Sequence, residues 1–436
     1  MPIEAAPATS EEKRHVEESP MNTRLRWLQL PLTAWLVGVA GAAAAQSSPW
    51  YLGVNQAVSY NTNPTRQPDQ FAQSSWWSTT SLIGGFDQRQ GRQRFYGNGN
   101  VAANVYNELS QLNNTSYGAT LGWDWQTIER LSGTLYASYN AGLADYGDFN
   151  QANLLAAQKI TQSNALVYGT VEYGLVSLWA ADLRLAYSSV HYNSDNILAN
   201  LSYQRYELDQ ASIRARLRKQ FSGQLTAGVG VAYTDGDYFA IDQQFDRYDL
   251  FVFGEWKVTG QSTLSGRLGY AWTDYTGVNP YNRDGITGWV AWAYQPTGKL
   301  SFNTRLSYDT LANSVFTAVG GGTATSISQS DQLTAGLQFT VQYAFSAKTS
   351  FNGSLEYYSR SNNRSNNSTS IPALEDVRNR VTNLALGATW LPARNWQVNC
   401  GLTLNDRNQR RSAGQTITLT PYTAYGGSCS AQFVLQ

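Results

Sequence analysis

Arg214, Arg216 and Arg218 alternate with Ala215 and Leu217. In an extended chain successive side chains point to opposite faces, so three guanidiniums share one face and Ile213, Ala215 and Leu217 the other. Arg184, Arg267 and Arg305 occupy the same polar register of their own segments. A wall of guanidiniums attracts an anionic polymer and can clamp carboxylates or sugar hydroxyls with paired N–H donors. A structural reading stands beside it: Glu172, Asp182, Glu255 and Glu356 also point to the polar side, where they would pair with the arginines and stiffen the wall. Tyr136, Tyr168, Phe251, Phe253, Trp289 and Tyr358 fall in that register too. Rings there either stack on the apolar faces of sugars or pack against an inserted loop.

Other chemistry is sparse. His191 is the one histidine beyond the N-terminal region, and no serine nucleophile with a recognisable base surrounds it, so an enzymatic reading rests on His191 alone. No metal-ligand spacing occurs, Gly320, Gly321 and Gly322 lie in a long polar connection, and no cofactor is expected. With 31 basic and 31 acidic side chains the net charge is zero, which gives no electrostatic case for nucleic acid as a partner. The two cysteines, Cys400 and Cys429, lie on the apolar face of the last two extended segments. If Trp396 opposes Phe433, antiparallel pairing sets Cys400 against Cys429, and a disulfide would staple the closing hairpin in an oxidising compartment. The alternative is two thiols facing lipid.

The elements that must carry these residues are strands. Charged residues make up only 14% of the chain against 42% hydrophobic, and the polar remainder is mostly small and uncharged, unlike the Lys- and Glu-coated surface of a soluble sheet. The dominant period is two. From Leu333 to Phe345 the odd positions are Leu, Ala, Leu, Phe, Val, Tyr and Phe, while the even ones between them are Thr, Gly, Gln, Thr, Gln and Ala. The same split recurs over Leu225–Tyr233, Leu264–Trp272, Phe302–Tyr308 and Trp396–Leu404. Short turns at Gln88–Gln93, Thr127–Arg130, Gly174–Ser177, Ser222–Gly223, Thr259–Gln261, Pro296–Lys299, Ser346–Lys348 and Pro392–Asn395 alternate with longer polar loops such as Asp309–Asp331 and Ser359–Arg378. Tight turns at one end and loops at the other are the asymmetry of bacterial outer-membrane barrels, and Trp123, Trp125, Phe221, Trp256, Tyr294, Phe345, Trp390 and Trp396 cluster at the tight turns as an interfacial girdle would. The expectation is an all-β protein: a transmembrane antiparallel up-and-down β-barrel of about 18 strands, with 16 or 20 also compatible. Residues 46–436 would form the barrel. Residues 1–45 read as an N-terminal extension and secretion signal, with a basic start at Met21–Arg26, an apolar run at Leu28–Ala40 and small residues Ala43–Ala45 before the cut.

Three stretches bring a family into view. The segment Trp50–Asn63 (WYLGVNQAVSYNTN), the hairpin Gln295–Asp309 (QPTGKLSFNTRLSYD) and the ending Ser428–Phe433 (SCSAQF) together resemble the EpsL-type barrels of exopolysaccharide gene clusters, within the beta-barrel porin superfamily. The resemblance implies an outer-membrane location and a part in exporting an extracellular polysaccharide. It also implies outer-membrane lipid, the exopolysaccharide chain and periplasmic or inner-membrane export components as partners. It carries over no set of functional residues. Two rival roles fit the same barrel: a general diffusion porin for small solutes, and a non-conducting structural or adhesive barrel.

Overall fold

In the computed structural model, residues 48–128, 130–146, 158–174, 178–196, 203–204, 206–277, 281–309, 332–362, 377–410 and 421–435 are described. The expected secretion signal and the glycine run at 320–322 lie outside them. Eighteen strands are present: β1 (Trp50–Asn61), β2 (Ser75–Gln90), β3 (Gln93–Tyr106), β4 (Asn114–Gln126), β5 (Leu131–Leu143), β6 (Ile160–Tyr173), β7 (Trp179–Ser194), β8 (Leu208–Gln220), β9 (Leu225–Tyr238), β10 (Gln243–Thr259), β11 (Ser262–Gly277), β12 (Tyr281–Thr297), β13 (Leu300–Asp309), β14 (Gln332–Ala344), β15 (Thr349–Asn362), β16 (Val377–Ala393), β17 (Trp396–Arg410) and β18 (Tyr422–Leu435). Each pairs antiparallel with its sequence neighbours, and β18 closes on β1 from Gly426↔Asn61 to Leu435↔Leu52. Closure gives every strand a hydrogen-bonded neighbour on both sides, which is the condition for strands to cross hydrocarbon without exposing an edge.

Alternation sets the two faces. Leu52, Leu82, Val101, Leu121, Leu185, Val231, Leu268, Leu386 and Leu402 stand exposed on the outer wall, Leu402 at 65%. Residues in the alternate register point inward, among them Asn55, Ser81, Thr234 and Gln432, all buried. A soluble sheet would hide the first set; here those side chains clothe the outside, so the solvent there is lipid. The outer girdle at the tight-turn end is continuous in places: Phe95 stacks on Trp123, and Trp292, Tyr294, Phe302 and Phe339 stack in a row with centroids 5.3, 6.3 and 6.1 Å apart. Lys219 Nζ lies 5.0 Å from the Trp179 ring, an ammonium reaching the interface along an apolar stem.

Strand ends flank each of the eight positions expected as short turns, although residues 129 and 175–177 lie outside the described residues. The other end departs in one sector from the expected longer polar loops. β9 and β10 are joined by a single 3-10 turn, Phe239–Ile241, and only residues 278–280 separate β11 from β12. The reason lies in strand length: β10 and β12 have 17 residues and β11 has 16, where about 9–11 suffice to cross the bilayer. Their surplus projects beyond the lipid and, with the end of β9, carries the outward acids Asp235, Asp246, Asp274 and Asp284, with Tyr233 and Tyr270 donating to Asp246 and Asp284. Strands thus replace loops as the exposed structure in this sector. Strands also extend into the two segments expected as loops, with β13 ending at Asp309, β15 at Asn362 and β16 starting at Val377.

Candidate functional site on the inner wall

The inner wall has two chemically different halves. From β5 to β13, arginines and aromatic rings interleave. Tyr136 on β5 stacks on Tyr168 on β6, centroids 5.0 Å apart. The Arg184 guanidinium lies 3.8 Å from the Tyr168 centroid, Arg216 5.1 Å from Phe253, Arg267 3.8 Å from Phe251 and Arg305 4.4 Å from Trp289. Two candidate sets that look separate in the sequence are therefore one belt, in which cations rest on ring faces. The register explains the contacts. Gly228 and Gly230 on β9 oppose Arg218 and Arg216 on one side and Phe253 and Phe251 on the other, so the Phe253 ring lies across Gly228 and side chains from both neighbours lie across Gly230. An added Cβ at Gly230 would meet the Phe251 ring at 2.4 Å and Arg216 Cγ at 2.9 Å.

The arginines divide into those that pair with carboxylates of the wall and those that do not. Arg216 Nε donates to both oxygens of Asp182 at 2.9 and 3.0 Å, and Arg218 pairs with Glu172. Arg267 donates to Asp249 at 3.0 Å. Arg305 has only the Trp289 ring as its partner among the described residues, and its Nε is buried without an acceptor. Arg214 makes no hydrogen bond or ion pair among the described residues. Of the acids expected as partners, Glu356 instead accepts from Asn383 Nδ2 at 3.5 Å. Tyr358, on β15, sits opposite Gly336, away from the belt.

Arg247 and Asp249 were not singled out by sequence reasoning, yet they extend the belt toward the loop end. Arg247 makes a two-point pair with Asp249 at 2.7 and 2.8 Å and reaches Asp309 at 3.3 Å. Their positions alternate in step with Phe251 and Phe253 on β10, and that periodicity was the available signal. Further toward the loops the inner wall turns apolar. Tyr106, Leu109, Leu112, Tyr146, Ile160, Val190, Tyr192 and Tyr203 form one buried cluster, and Leu208, Tyr238, Phe245 and Tyr275 a second. These pack the loop-end mouth beside β3 to β11.

The facing half, β14 through β18 and on to β4, carries mainly amides and hydroxyls, with two further cation–ring contacts, Arg94 on Tyr96 beside Asp87 and Arg407 on Tyr422. Thr389 Oγ1 donates to Asn399 at 2.9 Å, Gln397 to the same oxygen at 3.0 Å and Thr79 to Asn104 at 2.8 Å. Thr340 and Gln342 on the inward face of β14 are exposed.

Cys400 and Cys429 are register partners with Cα atoms 4.1 Å apart, joined by a disulfide on the outer face. His191 also faces outward, near the loop end, with its ring nitrogens 3.9 Å from Glu207 and 3.5 Å from Asp209. It belongs to a surface charge group rather than to the lumen.

Comparison with known proteins gives a partial family match and a set of distant barrels. A family model described as "Putative MetA-pathway of phenol degradation" matches residues 256–420, from the end of β10 to the connection before β18. No curated protein matches the chain. Among solved structures, the FrpB iron transporter of Neisseria meningitidis (F3-3 variant) aligns with 8% identity and TM-score 0.47 over 89% of this chain and 82% of that one. OpdL of Pseudomonas aeruginosa aligns with 12% identity and TM-score 0.44, covering 89% of this chain and 98% of its own. The outer membrane protein opdK of the same organism aligns with 11% identity and TM-score 0.45, covering 88% and 98%. The chain is a closed 18-stranded antiparallel barrel of the membrane-spanning kind.

Proposed function

We propose that this barrel is a passive outer-membrane conduit through which an exopolysaccharide leaves the cell. The observation that carries the reading is the divided inner wall. The Tyr168 and Trp289 rings, held flat by Arg184 and Arg305, offer surfaces for the C–H faces of sugars, while Asn399, Thr389, Gln397 and Thr340 across the lumen offer donors and acceptors for hydroxyls. A polymer could slide along such a wall by exchanging equivalent weak contacts, each too weak to trap it. The barrel itself supplies no energy, so direction comes from periplasmic and inner-membrane export components. The resemblance of Trp50–Asn63, Gln295–Asp309 and Ser428–Phe433 to exopolysaccharide-cluster barrels supports the choice of cargo. Deleting the gene tests it: polymer should accumulate in the periplasm, and secretion at the wild-type level overturns the reading.

The match to the phenol-degradation family over residues 256–420 favours a second reading, a porin for small aromatic solutes whose rings would use the same belt. Liposome swelling separates the two. Flux of phenol-sized solutes well above that of sugars supports the porin; a preference for oligosaccharides supports the export conduit.

A further inference from the structure

Arg184 on β7 and Arg214 on β8 are direct register partners, and both point into the lumen. Like charges directly opposite each other destabilise a sheet pair, so this arrangement needs a compensating anion. The wall does not give Arg214 one. Its Nε is buried with no acceptor, and no carboxylate pairs with it among the described residues. Its acidic neighbour, Asp182, has both oxygens committed to Arg216. The other charges that act on it most, Arg216, Arg184 and Arg267, are cationic. Arg184 is laid down on the Tyr168 ring at 3.8 Å, which holds its guanidinium against the wall beside Arg214.

We propose that Arg184 and Arg214, with Tyr168 beneath the first, form a carboxylate-binding station on the inner wall, at which an acidic sugar residue in transit docks. A carboxylate has two oxygens and each guanidinium presents a fork of N–H donors, so two forks side by side can grip both oxygens. A neutral sugar would leave the Arg214 charge uncompensated and would be held less. The inference deepens the conduit reading, since it names the chemical class of the cargo, and it rests on that reading for the claim that the carboxylate belongs to a polymer.

The test uses the folded barrel in detergent and in planar bilayers, with trigalacturonate, maltotriose and acetate as probes. In a KCl gradient the wild type should show an anion-selective reversal potential, and Arg214→Gln should move it toward zero. By calorimetry trigalacturonate should bind roughly tenfold or more tightly than maltotriose, the factor expected for one charged hydrogen-bonded contact, and Arg214→Gln should remove the difference. Arg214→Lys should keep the anion selectivity yet lose most of the binding, because an ammonium is a point charge without the fork. Arg184→Gln provides an independent variant, and heat-modifiable gel migration confirms folding of each. Unchanged selectivity and binding in folded Arg214→Gln, or maltotriose binding as tightly as trigalacturonate, overturns the station. Arg214-dependent trigalacturonate binding without any conductance upholds the station and sinks the conduit. Conductance without Arg214-dependent binding does the reverse. Acetate binding as tightly as trigalacturonate upholds the site for free carboxylates and overturns the polymer as its ligand.

Discussion

At Gly230 a missing side chain does the structural work. Both Phe251 and Arg216 lie across it, and a methyl group there would sit 2.4 Å from the ring. The ring is the flexible party, so Gly230→Ala should swing Phe251 into the lumen and cost roughly 1–3 kcal/mol, as overpacking does. Single-channel conductance should fall while the barrel still folds; an unchanged conductance would show that Phe251 is not at a narrow point. A second residue-scale effect is pH-dependent. Glu108, in the connection after β3, accepts from Asn107 Nδ2 at 2.8 Å and from the Trp76 amide at 2.9 Å. The Asn107 bond first, then the Trp76 amide and Ser75, hold its carboxyl down to about 2. A depressed carboxylate contributes fully above its ordinary value near pH 4 and loses that contribution as pH falls toward 2. Amide exchange at Trp76 should therefore stay constant from pH 7 to 5, after correction for intrinsic rates, and accelerate between about 4 and 2. Constancy through pH 2 would argue against the tether.

The hairpin β17–β18 is the element closed by a covalent bond. Cys400 and Cys429 are 29 residues apart in sequence, and chain-entropy arguments give a loop of that size roughly 3–4 kcal/mol of stabilisation, with strand pairing already limiting the gain. Reduced protein, or Cys400→Ser with Cys429→Ser, should unfold at lower urea than the oxidised barrel, with its slope altered little. Equal midpoints would mean that barrel closure alone holds the hairpin. The Arg–aromatic contacts show how elements make the belt. Tyr168 with Arg184 and Trp289 with Arg305 each join the two strands of one tight-turn hairpin, and Phe251 with Arg267 does so across β10 and β11. Three hairpins thus repeat one device, a ring on the first strand and a guanidinium on the second.

For the whole molecule, the decisive property is that neighbouring residues meet different solvents. Leu386 faces outward from the middle of β16 and Ala385 faces the amide-lined lumen. Leu386→Arg should cost about 2–4 kcal/mol near the bilayer midplane, whereas Ala385→Arg should cost far less. Urea unfolding of both variants in liposomes checks this, and equal costs would contradict the assignment of faces. The closed wall and its outer apolar band also account for the disposition of the connections. Eight tight turns lie at one end, while at the other β9 to β12 project past the lipid in place of loops.

Much of this was legible in the chain. Period two assigned each side chain to a wall, because a pleated strand admits only two directions. Turn positions set the strand order, and one assumed pair, Trp396 with Phe433, set the whole β17–β18 register because an antiparallel ladder keeps the sum of partner numbers constant. What periodicity does not contain is height within the lumen. Whether Arg184 comes level with Tyr168 and Arg214, or whether Asp182 spends its oxygens on Arg216, depends on the stagger of strands around the closed barrel, a property of all eighteen together. For the same reason the apolar packing at the loop-end mouth, where Phe245 and Tyr275 turn inward against the general rule, emerged only once strands distant in sequence were brought side by side.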